Sequence, residues 1–203
     1  MPLRTHELHP AVVHAPLVLL PVAALVDVLA AGRPRDARLQ RAGRNLWWAT
    51  TGAGLVAGLT GMAASQEIQL DTDHARDVMF VHGLGNLTLV LSALGVSLWR
   101  TRHRASATSA VAGLIATGAG VYTAYLGGEL VYTHGAGIVR LGGAAAEAPA
   151  LFSSAAPGRL ARDAVRGFAW LVRRARRALS GQERVDRSAL GPIAEAGAGS
   201  AVP

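Results

Sequence analysis

Four long segments that carry almost no charge constrain this chain more than any other feature. A helix needs about 20 apolar residues to cross the roughly 30 Å hydrocarbon core of a bilayer, and each segment reaches that length. They predict four membrane-spanning helices, at residues 11–32, 45–65, 78–99 and 106–131. Of the 203 residues, 51% are hydrophobic and only 16% are charged. This composition excludes a soluble single-core domain and an intrinsically disordered chain.

The charges between these segments predict their orientation in the membrane. Arginines cluster in the first connection, residues 33–44, and in the third, residues 100–104, whereas residues 67–77 are mostly acidic. Cytoplasmic loops are enriched in Lys and Arg, so we expect the first and third connections inside and both termini outside. The predicted fold is all-α: a four-helix transmembrane bundle over residues 1–140, in a multi-pass protein of the bacterial plasma membrane.

The C-terminal third has a different character. Residues 141–157 are rich in Ala, Gly and Pro and predict a linker, and residues 181–203 are predicted to be disordered. Between them, residues 158–180 repeat apolar side chains at steps of three and four, with arginines at most other positions. This pattern predicts a basic amphipathic helix that lies in the membrane interface and binds anionic lipid. No nucleic-acid-binding module is recognisable, so nucleic acid is not expected as a partner.

The histidines carry the chemistry that the sequence offers. His14 and His82 each lie about one turn inside a predicted span, and Glu129 lies near the outer end of the fourth. An ionisable residue in hydrocarbon costs free energy and marks a functional site by default. We therefore expect these three side chains to converge near the outer boundary of the membrane. Three further histidines are predicted to surround them: His9, His74 and His134.

One hypothesis for this cluster is a b-type haem that takes part in membrane electron transfer. Two neutral imidazoles from facing helices can ligate such a haem without any cysteine. His14 and His82 are the preferred axial pair, His134 is the substitute, and Glu129 would orient a ligand. Electrons would then pass to or from a quinone or a periplasmic redox partner. Because the chain has no Cys, a covalent c-type haem and thiolate metal sites are excluded.

Two alternatives remain open at this stage. The histidines can form a non-haem metal or proton site together with Glu129; the candidate ligands are then His9, His14, His74, His82 and His134. They can also be purely structural, pairing with polar groups to fix the register of the helices in an accessory subunit without a cofactor. Spacing does not choose among the three, because the ligands come from different spans. No motif of a known enzyme class is present.

One acidic residue lies inside the first span. We expect Asp27, near its cytoplasmic end, to pair with a loop arginine such as Arg33.

Two motifs resemble those of a bacterial family of predicted four-span membrane proteins, known as a domain of unknown function. The first is His-Pro-x-x-Val-His-x-Pro, at His9, Pro10, Val13, His14 and Pro16. The second is Gly-Gly-x-Leu-Val-Tyr-x-His-Gly-x-Gly, at Gly127, Gly128, Leu130, Val131, Tyr132, His134, Gly135 and Gly137. The resemblance covers about residues 6–140 and implies a four-helix membrane domain without an assigned activity. Relatives joined to Rieske-type iron–sulfur domains favour the haem hypothesis by association.

Overall fold

The structure, a computed structural model, describes residues 3–138, 141–144 and 150–191. These residues form six α-helices, together with short 3-10 helices at Thr5–Glu7 and Arg187–Leu190. The helices are α1 (Leu8–Val12), α2 (His14–Ala31), α3 (Ala37–Ala64), α4 (Asp73–Arg102), α5 (Ala107–Tyr132) and α6 (Ala156–Leu179). Extended pairing in the described part is limited to two isolated bridges. The all-α prediction is therefore confirmed over these residues.

Three helical segments are long and apolar enough to cross a membrane: Thr5–Ala31, Asp73–Arg102 and Ala107–Tyr132. The predicted span at residues 45–65 falls in α3, whose 28 residues extend about 42 Å at 1.5 Å per residue. Its length is sufficient, but its Trp, Thr and Gly residues make it less apolar than the other three. The structure thus supports a helical membrane protein, and the count of four spans stays a prediction.

Local sequence explains where several helices begin. Asp36, Thr72 and Ser106 precede α3, α4 and α5, and the side chain of each accepts a hydrogen bond from a backbone N–H two or three residues later. Such caps satisfy N–H groups that have no partner within the helix. The α1–α2 pair is interrupted only at Val13. Pro16 accounts for the break, because it has no N–H to offer the carbonyl of Val12.

The chain divides into two compact units. The first comprises residues 1–8, 61–84 and 124–203, and the second comprises residues 9–60 and 85–123. The core of the second unit is built around a fully buried tryptophan, Trp47, and a hydrogen bond of 2.9 Å joins Thr51 Oγ1 and Ser97 Oγ. Leu20, Ala23 and Ala93 complete the buried cluster around Trp47.

A buried ion pair lies in the second unit. Arg100 Nε is 3.1 Å from Asp27 Oδ1, and the two side chains are 1% and 0% exposed. Arg100 also donates to the backbone carbonyls of Gln40 and His103. The expectation that Asp27 pairs with a loop arginine is therefore confirmed, but the partner is Arg100, at the start of the third connection, and not Arg33. Arg33 lies in an exposed turn, whereas Arg100 ends a rigid helix and its guanidinium is held by three acceptors.

The first unit contains α6, which packs on the described residues of this unit along one side. Asp163, Gly167, Leu171 and Arg174 are buried there. A Cβ added at Gly167 would collide with the backbone carbonyl of Met62, so only glycine permits this close approach. Other positions of α6, both apolar and basic, stay exposed. The helix therefore presents one packed side to the protein.

The regions flanking α6 are only partly described. Of the predicted linker, residues 145–149 lie outside the described residues, and Ala150 forms an isolated bridge with Arg4. Residues 181–191, which the sequence analysis assigns to a disordered tail, include the 3-10 helix Arg187–Leu190, in which Ala189 has no exposed surface. Residues 192–203 of that tail lie outside the described residues.

The Asp27–Arg100 pair generates a stability prediction. Arg100→Met leaves the Asp27 carboxylate buried without its cation, and we expect it to lower the free energy of unfolding by about 3–5 kcal/mol. Thermal unfolding of the full chain in detergent, followed by circular dichroism, measures the change. Arg102→Met, at an exposed position of the same helix, is the matched control and should unfold like the wild type. Equal melting temperatures for the two variants would contradict the prediction.

Candidate metal centre

The described residues contain a compact group of metal-ligating side chains. His74 lies in the first turn of α4, Glu129 lies in the last turn of α5, and His134 follows that helix. Their ligand atoms all lie within 4.8 Å of one another. His74 Nε2 is 3.8 Å from Glu129 Oε1, and the ring centroids of His74 and His134 are 5.4 Å apart. All three belong to the first unit.

Two atoms of this group are buried without a hydrogen bond. Glu129 Oε2 and His134 Nε2 have no partner among the residues that the structure describes. Leaving such a group buried and unsatisfied costs about 1–3 kcal/mol, and a bound ion or water is one way in which proteins satisfy it. Both atoms are lone-pair donors to a cation when the imidazole is in the matching tautomer. The group therefore has the electronic character of an open ligand set.

A serine from the C-terminal region fixes one of the rings. Ser188 Oγ lies 3.2 Å from His74 Nδ1, which leaves Nε2 of the same ring facing Glu129. Ligating histidines commonly use their second ring nitrogen in this way, and the contact sets both tautomer and orientation. Sequence analysis missed Ser188 because it falls in a segment with no apolar periodicity. No spacing signal links it to His74, 114 residues earlier.

The combination of two imidazoles and one carboxylate is typical of sites for particular transition-metal ions. This set holds Zn²⁺ in many enzymes and non-haem Fe²⁺ in others, and in both cases it leaves coordination positions open for water. Bonds of 2.0–2.1 Å in a tetrahedral site place ligand atoms roughly 3.3 Å apart. The His74–Glu129 separation of 3.8 Å exceeds this slightly, so small rotations of the side chains suffice to reach a metal.

The other predicted ligands lie elsewhere. His82 is in the first unit and packs against Gly127. A Cβ added to Gly127 would lie 2.9 Å from His82 Cε1. His9 and His14 belong to the second unit. His9 Nδ1 is 3.0 Å from the carbonyl oxygen of Ala57, a contact that fits the structural hypothesis. His14 is exposed and lines a surface depression with Val12, Ala15 and Val56, among others.

A second polar cluster in the first unit was not predicted. Both carboxylate oxygens of Glu67 accept hydrogen bonds from Thr5 Oγ1, at 2.9 and 2.8 Å. His6 Nδ1 is 3.7 Å from Glu67, and Arg159 Nε lies 3.6 Å from Glu67 and 2.9 Å from Asp163. The sequence analysis assigned Glu67 only to the acidic connection at residues 67–77, and the structure shows that it is 3% exposed. Because Arg159 already supplies the positive charge, this cluster is an ion-pair network.

Comparison with known proteins identifies the family. No curated protein and no solved structure matches the chain. The family described as "Predicted membrane protein (DUF2231)" matches residues 5–140, and the resemblance drawn from the sequence is confirmed. The match includes His74, Glu129 and His134 and ends before Ser188. With two thirds of its residues covered by this match, the chain belongs to the predicted membrane protein family DUF2231.

Proposed function

We propose that this protein binds a divalent transition metal at His74, Glu129 and His134. The observation that carries the proposal is the convergence of three ligand atoms, one from each residue, within 4.8 Å of one another. In the same cluster Glu129 Oε2 and His134 Nε2 are buried without a hydrogen bond among the described residues. The protein belongs to a family of membrane proteins and has several helices that are apolar enough to span a bilayer. Its metal site therefore belongs to a membrane-embedded domain.

We also propose that this site lies at the outer face of the bacterial plasma membrane. His74 lies within the acidic stretch at residues 67–77, and Glu129 and His134 lie at the C-terminal end of α5. The arginine-rich connections, residues 33–44 and 100–104, join the opposite ends of the predicted spans. The positive-inside rule assigns these to the cytoplasm. A metal would then reach the site from the periplasm, and both termini would be extracytoplasmic.

Haem remains a prediction that the structure does not favour over a metal ion. The three residues whose ligand atoms lie within 4.8 Å of one another supply two imidazoles and one carboxylate, a set typical of a single transition-metal ion. His14, the preferred haem ligand, is exposed. Electron transfer to a quinone or a periplasmic partner stays tied to the haem hypothesis.

The metal proposal predicts one site per chain. We expect the full-length protein, purified in detergent and stripped with a chelator, to bind one Zn²⁺ or Co²⁺, as measured by isothermal titration calorimetry. His134→Ala and Glu129→Gln each remove one of three ligands and should weaken binding by more than about 100-fold, beyond what loss of an outer-shell partner costs. Co²⁺ absorption should report a nitrogen- and oxygen-ligated site that disappears in both variants.

His14→Ala serves as the matched control, because it removes a histidine that lies outside the group of three. It should leave metal binding unchanged. Loss of binding in His14→Ala with retention in His134→Ala would contradict the proposed site. A reduced-minus-oxidised spectrum of the same preparation, made under haem-replete expression, should contain no Soret band. A reducible band lost in His14→Ala would support the haem hypothesis instead.

A second proposal concerns the exposed surface of α6, which we infer binds anionic lipid. Val165, Phe168 and Leu179 are 69%, 49% and 89% exposed and form an apolar stripe beside the packed side of the helix. Exposed arginines flank the stripe: Arg162, Arg166, Arg173 and Arg176. An apolar stripe bordered by arginines suits the boundary between acyl chains and phosphate headgroups. The helix would then contact the bilayer with this outer surface.

The lipid proposal is tested by replacing exposed arginines of α6 with uncharged glutamines. We expect Arg162→Gln, Arg173→Gln and Arg176→Gln together to reduce retention of phosphatidylglycerol by roughly 100-fold, at about 1 kcal/mol for each arginine near an anionic surface. Native mass spectrometry from nanodiscs of mixed phosphatidylglycerol and phosphatidylcholine measures the bound lipid. Arg184→Gln with Arg187→Gln changes exposed arginines outside the helix and is the control. Equal retention of phosphatidylglycerol by the triple variant and the double control variant would refute the lipid proposal.

A further inference from the structure

The chain leaves α6 and returns to the candidate metal centre. Residues 181–191, hereafter the strap, bring Ser188 Oγ to 3.2 Å from His74 Nδ1. At the end of the strap, a Cβ added at Gly191 would lie 3.1 Å from Cε1 of Tyr125 and 3.6 Å from Glu129 Oε2. Ala189, between these two contacts, has no exposed surface. The strap therefore contacts His74 through Ser188 and passes close to Glu129 at Gly191.

One carboxylate anchors the strap to α4. Asp77 Oδ1 accepts a charge-assisted hydrogen bond from Arg174, and Asp77 Oδ2 accepts the backbone N–H of Asp186 at 2.8 Å. Asp186 in turn accepts a hydrogen bond from the backbone N–H of Ser188 at 3.0 Å. This bond lowers the pKa of the Asp186 carboxyl, so the carboxylate stays charged at neutral pH and fixes the turn that presents the serine.

A second anchor ties the strap to α6. The carboxylate oxygens of Glu183 are each 2.8 Å from an arginine, Arg174 for one and Arg177 for the other. The hydrogen bond from Arg177, reinforced by Arg174, lowers the pKa of the Glu183 carboxyl. Six of the eleven strap residues are exposed, so much of the strap's surface faces solvent. Segments of this kind open locally at a small fraction of the cost of global unfolding.

We propose that the strap is a detachable cover that controls exchange of the metal. This proposal depends on the proposed metal site and concerns the regulation of that site. Closed, the strap orients His74 through the Ser188 hydroxyl and holds Gly191 over Glu129. Opened by release of Glu183 and Asp186, it exposes the ligands without removing any of them. The three metal ligands lie outside the strap, so opening changes the rates of metal entry and loss more than the affinity.

The experiment measures Co²⁺ dissociation from the full-length protein in detergent, by stopped-flow mixing with a chelator. Glu183→Gln weakens the second anchor, and we expect dissociation at least about 10-fold faster with a smaller change in affinity. Ser188→Ala removes the orienting hydroxyl; loss of such a partner typically costs 10–100-fold in affinity, and the Co²⁺ absorption spectrum should shift. Ser188→Thr, which keeps the hydroxyl, should restore the spectrum, an outcome that a purely structural role would not give.

Arg184→Gln is the matched control, because Arg184 is an exposed residue of the strap with no ion pair among the described residues. It should release Co²⁺ at the wild-type rate. If Co²⁺ binds to all variants and leaves them at one rate with one spectrum, the strap proposal is overturned and the metal site stands. If the wild type binds neither Co²⁺ nor Zn²⁺, the metal site and the strap proposal both fall.

Discussion

The ion pair between Arg174 and Asp77 holds together the part of the molecule that contains the candidate metal centre. Both side chains are buried, and Arg174 also donates to the carbonyl of Arg76 and lies 5.0 Å from the ring centroid of Phe80. Asp77 is three residues beyond His74 on the same helix, so whatever fixes Asp77 also fixes the start of α4. Removing one partner of such a pair leaves an uncompensated buried charge, at a typical cost of about 3–5 kcal/mol. This ion pair therefore contributes to the position of α6, of the strap and of the first turn of α4 that contains His74.

Three of the buried carboxylates in the described residues are paired: Asp27 with Arg100, Asp77 with Arg174, and Glu67 with Thr5 and Arg159. Pairing is not complete, because Asp27 Oδ2, both ring nitrogens of His6 and Trp47 Nε1 are also buried without a hydrogen bond there. An unsatisfied buried atom alone therefore does not mark a ligand site in this protein. Glu129 Oε2 and His134 Nε2 differ because their residues form one cluster with His74, in which a ligand atom of each residue lies within 4.8 Å of the others.

The helical membrane domain could be predicted from the sequence because long uncharged segments adopt few structures other than membrane-spanning helices. The sequence also placed His74, Glu129 and His134 near one membrane surface, since polar residues at the ends of neighbouring spans meet there. It could not predict Arg174 or Ser188. Periodicity marked the apolar positions of α6 but did not reveal whether protein or lipid covers them, so buried Leu171 and exposed Phe168 were given the same role. For the same reason Arg174 was assigned, with the other arginines, to the basic side of a helix in the membrane interface, although it pairs with Asp77.

The family match ends between the proposed metal ligands and the residues that are proposed to control access to the metal. All three proposed ligands fall within residues 5–140, whereas Arg174, Glu183 and Ser188 fall beyond it. In this proposal the metal-binding chemistry belongs to the domain that defines the family, and control over access to the metal belongs to the C-terminal extension of this chain. The two parts can then change independently, since the ligand geometry depends on the ends of α4 and α5. A different extension could alter the exchange rate and leave the choice of metal, which the two imidazoles and one carboxylate determine, unchanged.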